Sequence, residues 1–302
     1  MDLVTRLDCP ACGQPGGDLV YSSPYDEGPV AEELQRAYGD RLDVRPVRGS
    51  QFDLVRCANC RTVRQRLVPD EEYLVHIYGE AALAQQERTA AARDLSVRRS
   101  WAEQVEMTVG HFGGRPEQIE ALDFGAGSGA WLRMAAAYGC RTSGVELSEP
   151  ARCRLAAAGH DTYSPNEVPI SRFHLVNSEQ VLEHLVDPAA ALARIAGALR
   201  PGGVVRVAVP NGTDIVERLA TPDWSIPKGA PRSLNPVAPL EHLNCFSRTG
   251  LDAMAARVGL VPFEFPLREV LRPSTRVRTA MGAVRRRLVR PKGTLQWYQR
   301  PT

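Results

Sequence analysis

The stretch from residue 122 to residue 129 constrains the fold of this chain more than any other segment. It reads Leu-Asp-Phe-Gly-Ala-Gly-Ser-Gly, with a strand-like run at 119–122 before it and a helical pattern at 130–138 after it. Glycines permit a tight turn and let a ligand approach the backbone closely. The first turn of the following helix offers N–H groups to a carboxylate or a phosphate. The stretch therefore predicts the opening strand, turn and helix of a nucleotide-binding α/β sheet.

The glycine pattern fits two kinds of cofactor loop. Gly125-x-Gly127-x-x-Ala130 matches the dinucleotide fingerprint, whereas Asp123-x-Gly125-x-Gly127-x-Gly129 matches the loop that binds S-adenosylmethionine (SAM). A carboxylate two residues before the first glycine suits the ammonium group of a methionine moiety and sits poorly against a pyrophosphate. The segments downstream decide between the two interpretations.

Strand patterns and helical patterns alternate from residue 119 onward. The predicted strands are Ile119–Phe124, Arg141–Val145, Asp161–Tyr163, Phe173–Val176, Val204–Val209, Val261–Phe265 and Thr294–Tyr298. The predicted helices are Ala130–Tyr138, Pro150–Ala158, Pro188–Leu199 and Arg248–Val258. Such alternation is typical of an α/β domain with a parallel sheet and right-handed crossovers.

Several further segments follow the glycine loop in a fixed order. They are Gly-Val-Glu-Leu-Ser at 144–148, Asn-Ser-Glu-Gln-Val-Leu-Glu-His-Leu at 177–185, Asp-Pro at 187–188, Leu-Arg-Pro-Gly-Gly at 199–203, and Val-Ala-Val-Pro-Asn at 207–211. Together with the loop, they make residues 119–211 resemble the class I SAM-dependent methyltransferases. The resemblance implies an α/β fold with a seven-stranded Rossmann-like sheet in the order 3-2-1-4-5-7-6, the last strand antiparallel. The dinucleotide interpretation explains none of the later segments.

The resemblance also implies that SAM binds at the carboxyl ends of the strands. Glu146, 17 residues after Gly129, would accept hydrogen bonds from both ribose hydroxyls. The predicted cofactor-binding residues are Asp123, Gly125, Ala126, Gly127, Gly129, Glu146, Leu147, Asn177 and Gln180. Two positions depart from the family. The acid that normally follows strand three falls within 164–167, where both Asn166 and Glu167 are candidates, and His174 stands where relatives carry an aspartate.

Four of the seven cysteines form two Cys-x-x-Cys pairs, Cys9/Cys12 and Cys57/Cys60. Four thiolates suit a tetrahedral Zn²⁺ with no open position, which predicts a structural metal site in a zinc-ribbon-like module at residues 1–68. An insertion with a helix at Val30–Tyr38 would fill the 44 residues between the pairs. The module, followed by Pro-Asp-Glu-Glu-Tyr at 69–73, is similar to that of bacterial sugar and natural-product methyltransferases.

The remaining segments complete the expected organisation. Residues 69–118 are predicted to be a helical connector, and 119–302 the methyltransferase domain. In this family the long connection after the fifth strand, here 211–247, commonly covers the substrate. Residues 266–292 have helical periodicity and a basic face, which indicates a helical insertion. This helix could face an anionic surface or a phosphorylated substrate, or it could simply present a solvated face.

Two Glu-His pairs are the candidate catalytic groups. His184 follows Glu183 in the segment after the fourth strand, and His242 lies in the connection before the last predicted core helix. Methyl transfer to a hydroxyl or an acidic carbon needs a base, and an ordinary imidazole titrates near pH ~6.5. His184, His242 and Glu183 are therefore the predicted catalytic residues, and a packing role for either histidine is the alternative.

Composition narrows the classes of partner. The 302 residues carry a net charge of +2, so nucleic acid and anionic membranes exert no general attraction. No apolar run reaches the ~18 residues of a membrane helix, and the N-terminus lacks a signal-peptide pattern, which predicts a cytoplasmic enzyme. The expected acceptor is a small molecule, a natural product or sugar, methylated on O, N or C. The rival hypotheses are an RNA base methyltransferase that reads RNA with its zinc module, and a SAM-binding scaffold without catalysis.

Overall fold

The computed structural model describes residues 3–39, 43–70, 95–266, 269 and 294–302. The chain divides into two compact units. The N-terminal unit comprises Met1–Ile77, Gln180–Leu192 and Ala208–Val258, and the sheet unit comprises Tyr78–Glu179, Ala193–Val207 and Gly259–Thr302. Each unit is described by itself below.

The sheet unit is built around seven strands. These are β6 (Glu120–Phe124), β7 (Arg141–Val145), β8 (Asp161–Tyr163), β9 (Phe173–Glu179), β10 (Leu199–Ala208), β12 (Val261–Pro262) and β13 (Leu295–Gln299). Their spatial order is β12-β13-β10-β9-β6-β7-β8. Numbered within this sheet alone, the order is 3-2-1-4-5-7-6 from the β8 edge, so the predicted fold class is confirmed.

Register within the sheet brings the important strand ends together. β6 pairs in parallel with β7 and β9, so that Asp123 lies opposite Gly144 on one side and Asn177 on the other. β7 pairs in parallel with β8, whereas β12 and β13 are antiparallel. The carboxyl ends of β6, β7 and β9 therefore meet at one edge, which is where α/β sheets bind their ligands.

Helices cover the faces of this sheet. They are α2 (Leu95–His111), α3 (Ala130–Ala137), α4 (Glu149–Ala157) and α5 (Pro188–Ala198), the last of which begins in the N-terminal unit. Apolar residues from α2, α3, α4 and the central strands form one buried cluster that includes Trp101, Leu132, Leu155 and Leu175. None of the helices in the described ranges is both long and apolar enough to cross a lipid bilayer.

The N-terminal unit contains two small antiparallel sheets. One pairs β1 (Leu3–Thr5) with β5 (Leu67–Pro69). The other is formed by β2 (Asp18–Pro24), β3 (Gln51–Arg56), β4 (Val63–Gln65) and β11 (Asn244–Cys245), in the order β11-β4-β3-β2. Among its described residues, the α-helices that lie wholly within the unit are α1 (Gly28–Tyr38), α6 (Ile215–Ala220) and α7 (Arg248–Arg257). The helix predicted within the insertion between the cysteine pairs is thus present as α1.

Residues that are far apart in the sequence share the core of the N-terminal unit. Tyr25, Leu34 and Phe52 pack with Leu219 and Trp224, which come from the long connection after β10. Phe52 and Trp224 meet edge to face with ring centroids 5.9 Å apart. The connection at 211–247, which the sequence predicts to cover the substrate, therefore also contributes side chains to the hydrophobic core of this unit.

Two predicted segments lie mostly outside the described residues. Residues 71–94 of the helical connector and residues 267, 268 and 270–292 of the basic insertion are not described. The helical content predicted for 95–118 is seen as α2, which ends at His111.

Candidate active site

The glycine loop connects β6 to α3 in the conformation that its sequence predicts. Gly125, Gly127 and Gly129 have φ angles of 83°, 51° and 71°, in the left-handed region that residues with a Cβ rarely adopt. At Gly129 a Cβ atom would also come within 2.5 Å of Leu155. The loop therefore depends on glycine at all three positions for its backbone conformation, and at Gly129 for steric reasons as well.

The amides of the loop are tied to the end of β7. Gly125 and Ala126 both donate to the carbonyl oxygen of Val145, at 2.9 and 3.0 Å. The Glu146 carboxylate accepts from the Gly127 amide and from the Leu147 amide, each at 2.8 Å. An ionised carboxylate has about four acceptor positions, so Glu146 retains acceptor capacity for two hydroxyl groups while it holds the loop.

A buried polar network lies beneath the loop. Asn177 donates to a carboxylate oxygen of Asp123 at 2.7 Å, and Arg206 of β10 donates to the side-chain oxygen of Asn177 at 2.8 Å. Arg206 also donates to Glu179 at 2.8 Å, and the indole of Trp101 donates to the same Glu179 oxygen at 2.8 Å. The network runs from the Asp123 carboxylate of the loop to helix α2. The Asn177 side chain is fixed within it, because it donates to Asp123 and accepts from Arg206.

Sequence reasoning missed three members of this network. Arg206 is a charged residue inside an apolar strand, which was the available signal. It is only 4 % exposed, and a buried guanidinium needs acceptors. Glu179 ends a strand, and Trp101 fits the apolar pattern of its helix, so the sequence around each residue gives no sign of its hydrogen bonds in the network.

Burial dominates the protonation of Asp123. The pKa of its carboxyl is raised to about 7, mainly by desolvation, with smaller increases from the charges of Glu179 and Glu146. The Asn177 hydrogen bond and the Arg206 charge act in the opposite direction. At neutral pH the carboxyl is therefore balanced between its neutral and ionised forms, and an ammonium group placed nearby would favour ionisation.

We expect the raised pKa of Asp123 to make the free energy of unfolding decrease as the pH rises. Its folded-state pKa of about 7 lies above the ordinary value of 3.8, so the native state holds a proton that the unfolded state releases. The free energy of unfolding should fall between pH ~4 and ~7, by at most about 4 kcal/mol. In Asp123→Asn this part of the slope should disappear, as urea unfolding across that pH range would show. Asp161→Asn, at an exposed carboxylate of β8, is the control, and parallel curves for wild type and Asp123→Asn would contradict the assignment.

Other positions singled out in the sequence have defined contacts. Gln180 adopts a positive φ of 57°, which is rare for a residue with a side chain. Its backbone amide donates to the carbonyl oxygen of Ala208 at 2.8 Å. Backbone conformations of this kind concentrate at functional sites. Glu167 accepts from the Ser164 hydroxyl at 2.6 Å within its own turn. His174 accepts from the Glu120 amide at 3.2 Å, so this departure from the family has a structural role.

The two cysteine pairs come together in the N-terminal unit. The sulfur atoms of Cys9 and Cys60 are 3.5 Å apart, and those of Cys12 and Cys57 are 3.6 Å apart. All four lie within 4.8 Å of one another, and none is in a disulfide. Tetrahedral Zn²⁺ with ligands at ~2.3 Å would separate the sulfurs by about 3.8 Å. The donor set, here called the four-cysteine cluster, therefore fits a zinc ion.

The two cysteine turns have the same backbone design. Gly13 and Arg61, each directly after the second cysteine, have φ angles of 75° and 64°. Their amides donate back to Cys9 and Cys57 at 2.8 and 3.0 Å. The sequence signal is visible only in the first turn, because Arg61 adopts the left-handed conformation without being glycine.

His184 and His242, here called the histidine pair, meet within the N-terminal unit with ring centroids 4.7 Å apart. The Nδ1 of His184 lies 3.0 Å from the carbonyl oxygen of Glu241, and the Nδ1 of His242 contacts that of Asn235. A carbonyl accepts only, so each Nδ1 carries the hydrogen and each Nε2 carries the lone pair. The pair thus presents two nitrogen acceptors.

Carboxylates flank the histidine pair. Nε2 of His184 is 3.7 Å from Glu183, which is fully buried, and Nε2 of His242 is 3.8 Å from Glu241. Burial lowers the pKa of His184 to about 3, helped by the charge of His242, and burial also lowers the pKa of His242. Both imidazoles are neutral at pH 7. The ligand atoms of Glu183, His184 and His242 lie within 4.8 Å of one another, so they form a second group of metal-binding type.

The carboxylate of Glu241 joins this group to further polar residues. It accepts from the hydroxyl of Tyr38 at 3.1 Å and lies 3.8 Å from the ammonium of Lys228. A small cavity nearby in the same unit is lined by Glu33, Trp224, Ile226, Lys228, Ser233, Leu234, Asn235 and Ala238. The histidine pair therefore has both polar and apolar residues around it. The other described histidines lie elsewhere, with His160 on Thr142 and His111 on Glu269.

Known proteins resemble this chain over different spans. Two curated relatives are ubiquinone biosynthesis O-methyltransferases. The one from Aromatoleum aromaticum is 35% identical over 95 residues, which cover 28% of this chain and 41% of the relative. The one from Thiobacillus denitrificans is 32% identical over 97 residues, covering 28% and 42%. The matches thus span about two fifths of the length of these relatives.

Two solved structures also align with the chain. Burkholderia thailandensis 1,6-didemethyltoxoflavin-N1-methyltransferase, with bound 1,6-didemethyltoxoflavin and S-adenosylhomocysteine, has a TM-score of 0.44 at 17% identity over 82% of this chain and 98% of that one. An S-adenosylmethionine dependent methyltransferase from Mesorhizobium loti has a TM-score of 0.39 at 24% identity over 62% and 94%. The family model described as a methyltransferase domain matches residues 92–264, more than half of the chain. The protein therefore belongs to the methyltransferase-domain family.

Proposed function

We propose that this protein is a SAM-dependent methyltransferase that acts on a polar small molecule. The observation that supports this most is the left-handed glycine loop held by the Glu146 carboxylate, inside the matched methyltransferase domain. Bound SAM would supply an electrophilic methyl carbon. Glu146 would accept hydrogen bonds from the ribose hydroxyls, and Asp123 would face the ammonium of the methionine part.

The histidine pair would accept the proton that the acceptor loses. Both Nε2 atoms carry lone pairs, and the carboxylates of Glu183 and Glu241 lie 3.7 and 3.8 Å from them. These carboxylates would stabilise an imidazolium, which offsets the low intrinsic basicity that burial imposes. The curated relatives are named O-methyltransferases, which favours a hydroxyl of a natural product or sugar as the acceptor. A cytoplasmic location stays a prediction of the sequence.

A calorimetric titration with SAM and S-adenosylhomocysteine tests the cofactor part of this proposal. We expect both to bind with one site per chain. A subsequent screen of hydroxylated small molecules for S-adenosylhomocysteine release tests the transfer itself. Binding without turnover on any acceptor class would favour a scaffold, whereas turnover on RNA with strongly salt-dependent affinity would favour the RNA hypothesis. Absence of SAM binding would remove the proposal.

We further propose that the four-cysteine cluster binds one structural Zn²⁺. Two arginines of the same unit lie next to the first cysteine turn, where positive charge would favour thiolates. Arg64, 2 % exposed, donates to the carbonyl oxygens of Leu7 and Gly16 on either side of the first cysteine turn. The charge of Arg6 interacts with Cys9. Four thiolates leave no open position on zinc, so the metal would stabilise the unit without taking part in the reaction.

Substitution of one ligand should therefore remove the metal and loosen the unit. We expect one zinc per wild-type chain and less than ~0.1 per chain in Cys9→Ser, measured by elemental mass spectrometry. The melting temperature should fall by roughly 10 °C or more, because a structural zinc contributes about 10–16 kcal/mol of binding free energy. Cys153→Ser, at an exposed cysteine, is the matched control. Two metal ions per wild-type chain would instead place a second ion at Glu183, His184 and His242.

A further inference from the structure

A single buried glutamine links β4 to the segment that carries His242. Gln65 is fully buried. Its side-chain nitrogen donates to the carbonyl oxygens of Ala238 and His242, each at 3.0 Å, and its side-chain oxygen accepts from the Leu240 amide at 3.4 Å. Its own backbone amide donates to Leu243 at 3.0 Å. One side chain therefore fixes the backbone on both sides of Glu241.

The backbone held by Gln65 has an uncommon conformation. Leu240, two residues before His242, has a φ of 60° and is fully buried. A leucine with a left-handed backbone conformation is unfavourable by itself and persists only where the contacts around it hold it in place. Two hydrogen bonds hold it here: the Leu240 amide donates to the Gln65 side chain, and the His242 backbone amide donates to the Ala238 carbonyl oxygen at 3.0 Å.

An arginine makes the corresponding link to His184. Arg6 donates to the carbonyl oxygens of Gln65 and Leu243 at 2.9 and 2.7 Å, and to the side-chain oxygen of Asn244 at 2.7 Å. The Asn244 amide group then donates to the carbonyl oxygens of Leu182 and Leu185 at 3.3 and 2.8 Å. These two carbonyls bracket the turn that carries Glu183 and His184, so the orientation of Asn244 sets the position of that turn.

The four-cysteine cluster anchors the strand from which Gln65 projects. Cys57 and Cys60 lie in the turn between β3 and β4, and Gln65 is the last residue of β4. β4 pairs with β11, where Arg64 lies opposite Asn244. Ser247 donates to the Cys60 carbonyl oxygen, and Arg257 donates to that of Ala11 at 3.0 Å. A metal that joins the two cysteine turns would therefore restrain β4 and β11 together.

We propose that Gln65 and Arg6 are positioning residues for the histidine pair, and that metal occupancy of the four-cysteine cluster sets the geometry of this pair through β4. The inference rests on the proposed roles of zinc and of the two histidines. It gives the cysteine module a task in the chemistry of small-molecule methylation, in place of recognition of a nucleic acid.

The direct test is ¹⁵N nuclear magnetic resonance of the imidazoles in full-length, zinc-loaded protein labelled on histidine. The wild type should show Nδ1-protonated tautomers for His184 and His242, assigned with single His→Gln variants. Gln65→Leu should convert the His242 signal to a mixture of tautomers, because the backbone that holds His242 against the Asn235 carbonyl is no longer fixed. Arg66→Gln, whose side chain pairs with Asp53 at 3.1 Å, is the matched control and should leave both signals unchanged. Unchanged signals in Gln65→Leu would overturn the proposal.

Two further arms keep the test decisive. If Gln65→Leu does not fold, Gln65→Glu, which keeps the acceptor for Leu240 and lacks the amide donor pair, provides the comparison. Removal of zinc by a chelator should shift the same two signals in the wild type, measured well below the lowered melting temperature at a point where circular dichroism shows the fold retained, and added zinc should restore them. Signals that do not respond to zinc would refute the metal link. SAM affinity, measured in parallel, should change less than twofold, which separates failure of this inference from failure of the proposed function.

Discussion

Replacement of Glu146 by alanine should weaken SAM binding by roughly 100-fold or more. The variant would lack the two charge-assisted hydrogen bonds from the ribose hydroxyls to the carboxylate, each worth ~1.5–3 kcal/mol. The Gly127 and Leu147 amides, which now donate to the Glu146 carboxylate at 2.8 Å, would also lose their acceptor. Loss of the loop geometry would add to the loss of direct contacts. Isothermal titration of SAM into wild type and Glu146→Ala gives the ratio of the dissociation constants.

Two further variants make this result specific. Glu146→Gln keeps one acceptor oxygen and the shape of the side chain, so its affinity should lie between those of wild type and Glu146→Ala. Glu149→Ala removes a carboxylate in the first turn of α4 and should bind SAM as the wild type does. Equal SAM affinity in Glu146→Ala and wild type would mean that the cofactor does not use the end of β7.

Substitution of both members of the histidine pair should lower kcat by roughly 10²–10⁴-fold, the range expected for loss of a general base. Asparagine is the better replacement, because its amide nitrogen can still donate to the carbonyl oxygens of Glu241 and Asn235 and keep the backbone in place. SAM affinity should be unchanged, since the loss concerns only the proton transfer. The assay is release of S-adenosylhomocysteine with the acceptor found by screening.

The pH profile supplies an independent measure of the same role. Because burial lowers the pKa of both imidazoles, and that of His184 to about 3, the wild type should keep its activity well below pH ~6.5, where an ordinary imidazole titrates. Protonation of Asp123 below pH ~7 would weaken SAM binding, so the profile is measured as kcat at saturating SAM, which should fall only where the imidazole is protonated before the acceptor arrives. His160→Gln, on Thr142, should reproduce the wild-type profile. Full turnover in the doubly substituted protein would exclude a histidine base and leave the cofactor site unaffected.

The sequence by itself determined the sheet and the glycine loop. Both depend on local patterns: strand-length apolar runs, and glycines where φ is positive. The strand order that the family resemblance implies, the loop at 125–129 and the meeting of the four cysteines all appear in the structure. Even here the pattern was incomplete, because Arg61 adopts a left-handed φ at a position where the sequence has no glycine.

Only the tertiary structure decided which distant residues share a site. Asp123 and Arg206 both bond to Asn177, and His184 meets His242, although each pair is far apart in sequence. Gln65 reaches Ala238 across 173 positions. The sequence predicts that the connection at 211–247 covers the substrate, and only the structure shows that its Leu219 and Trp224 pack into the core of the N-terminal unit. Local propensity does not encode such contacts, because burial and the satisfaction of buried polar groups depend on the whole packed unit.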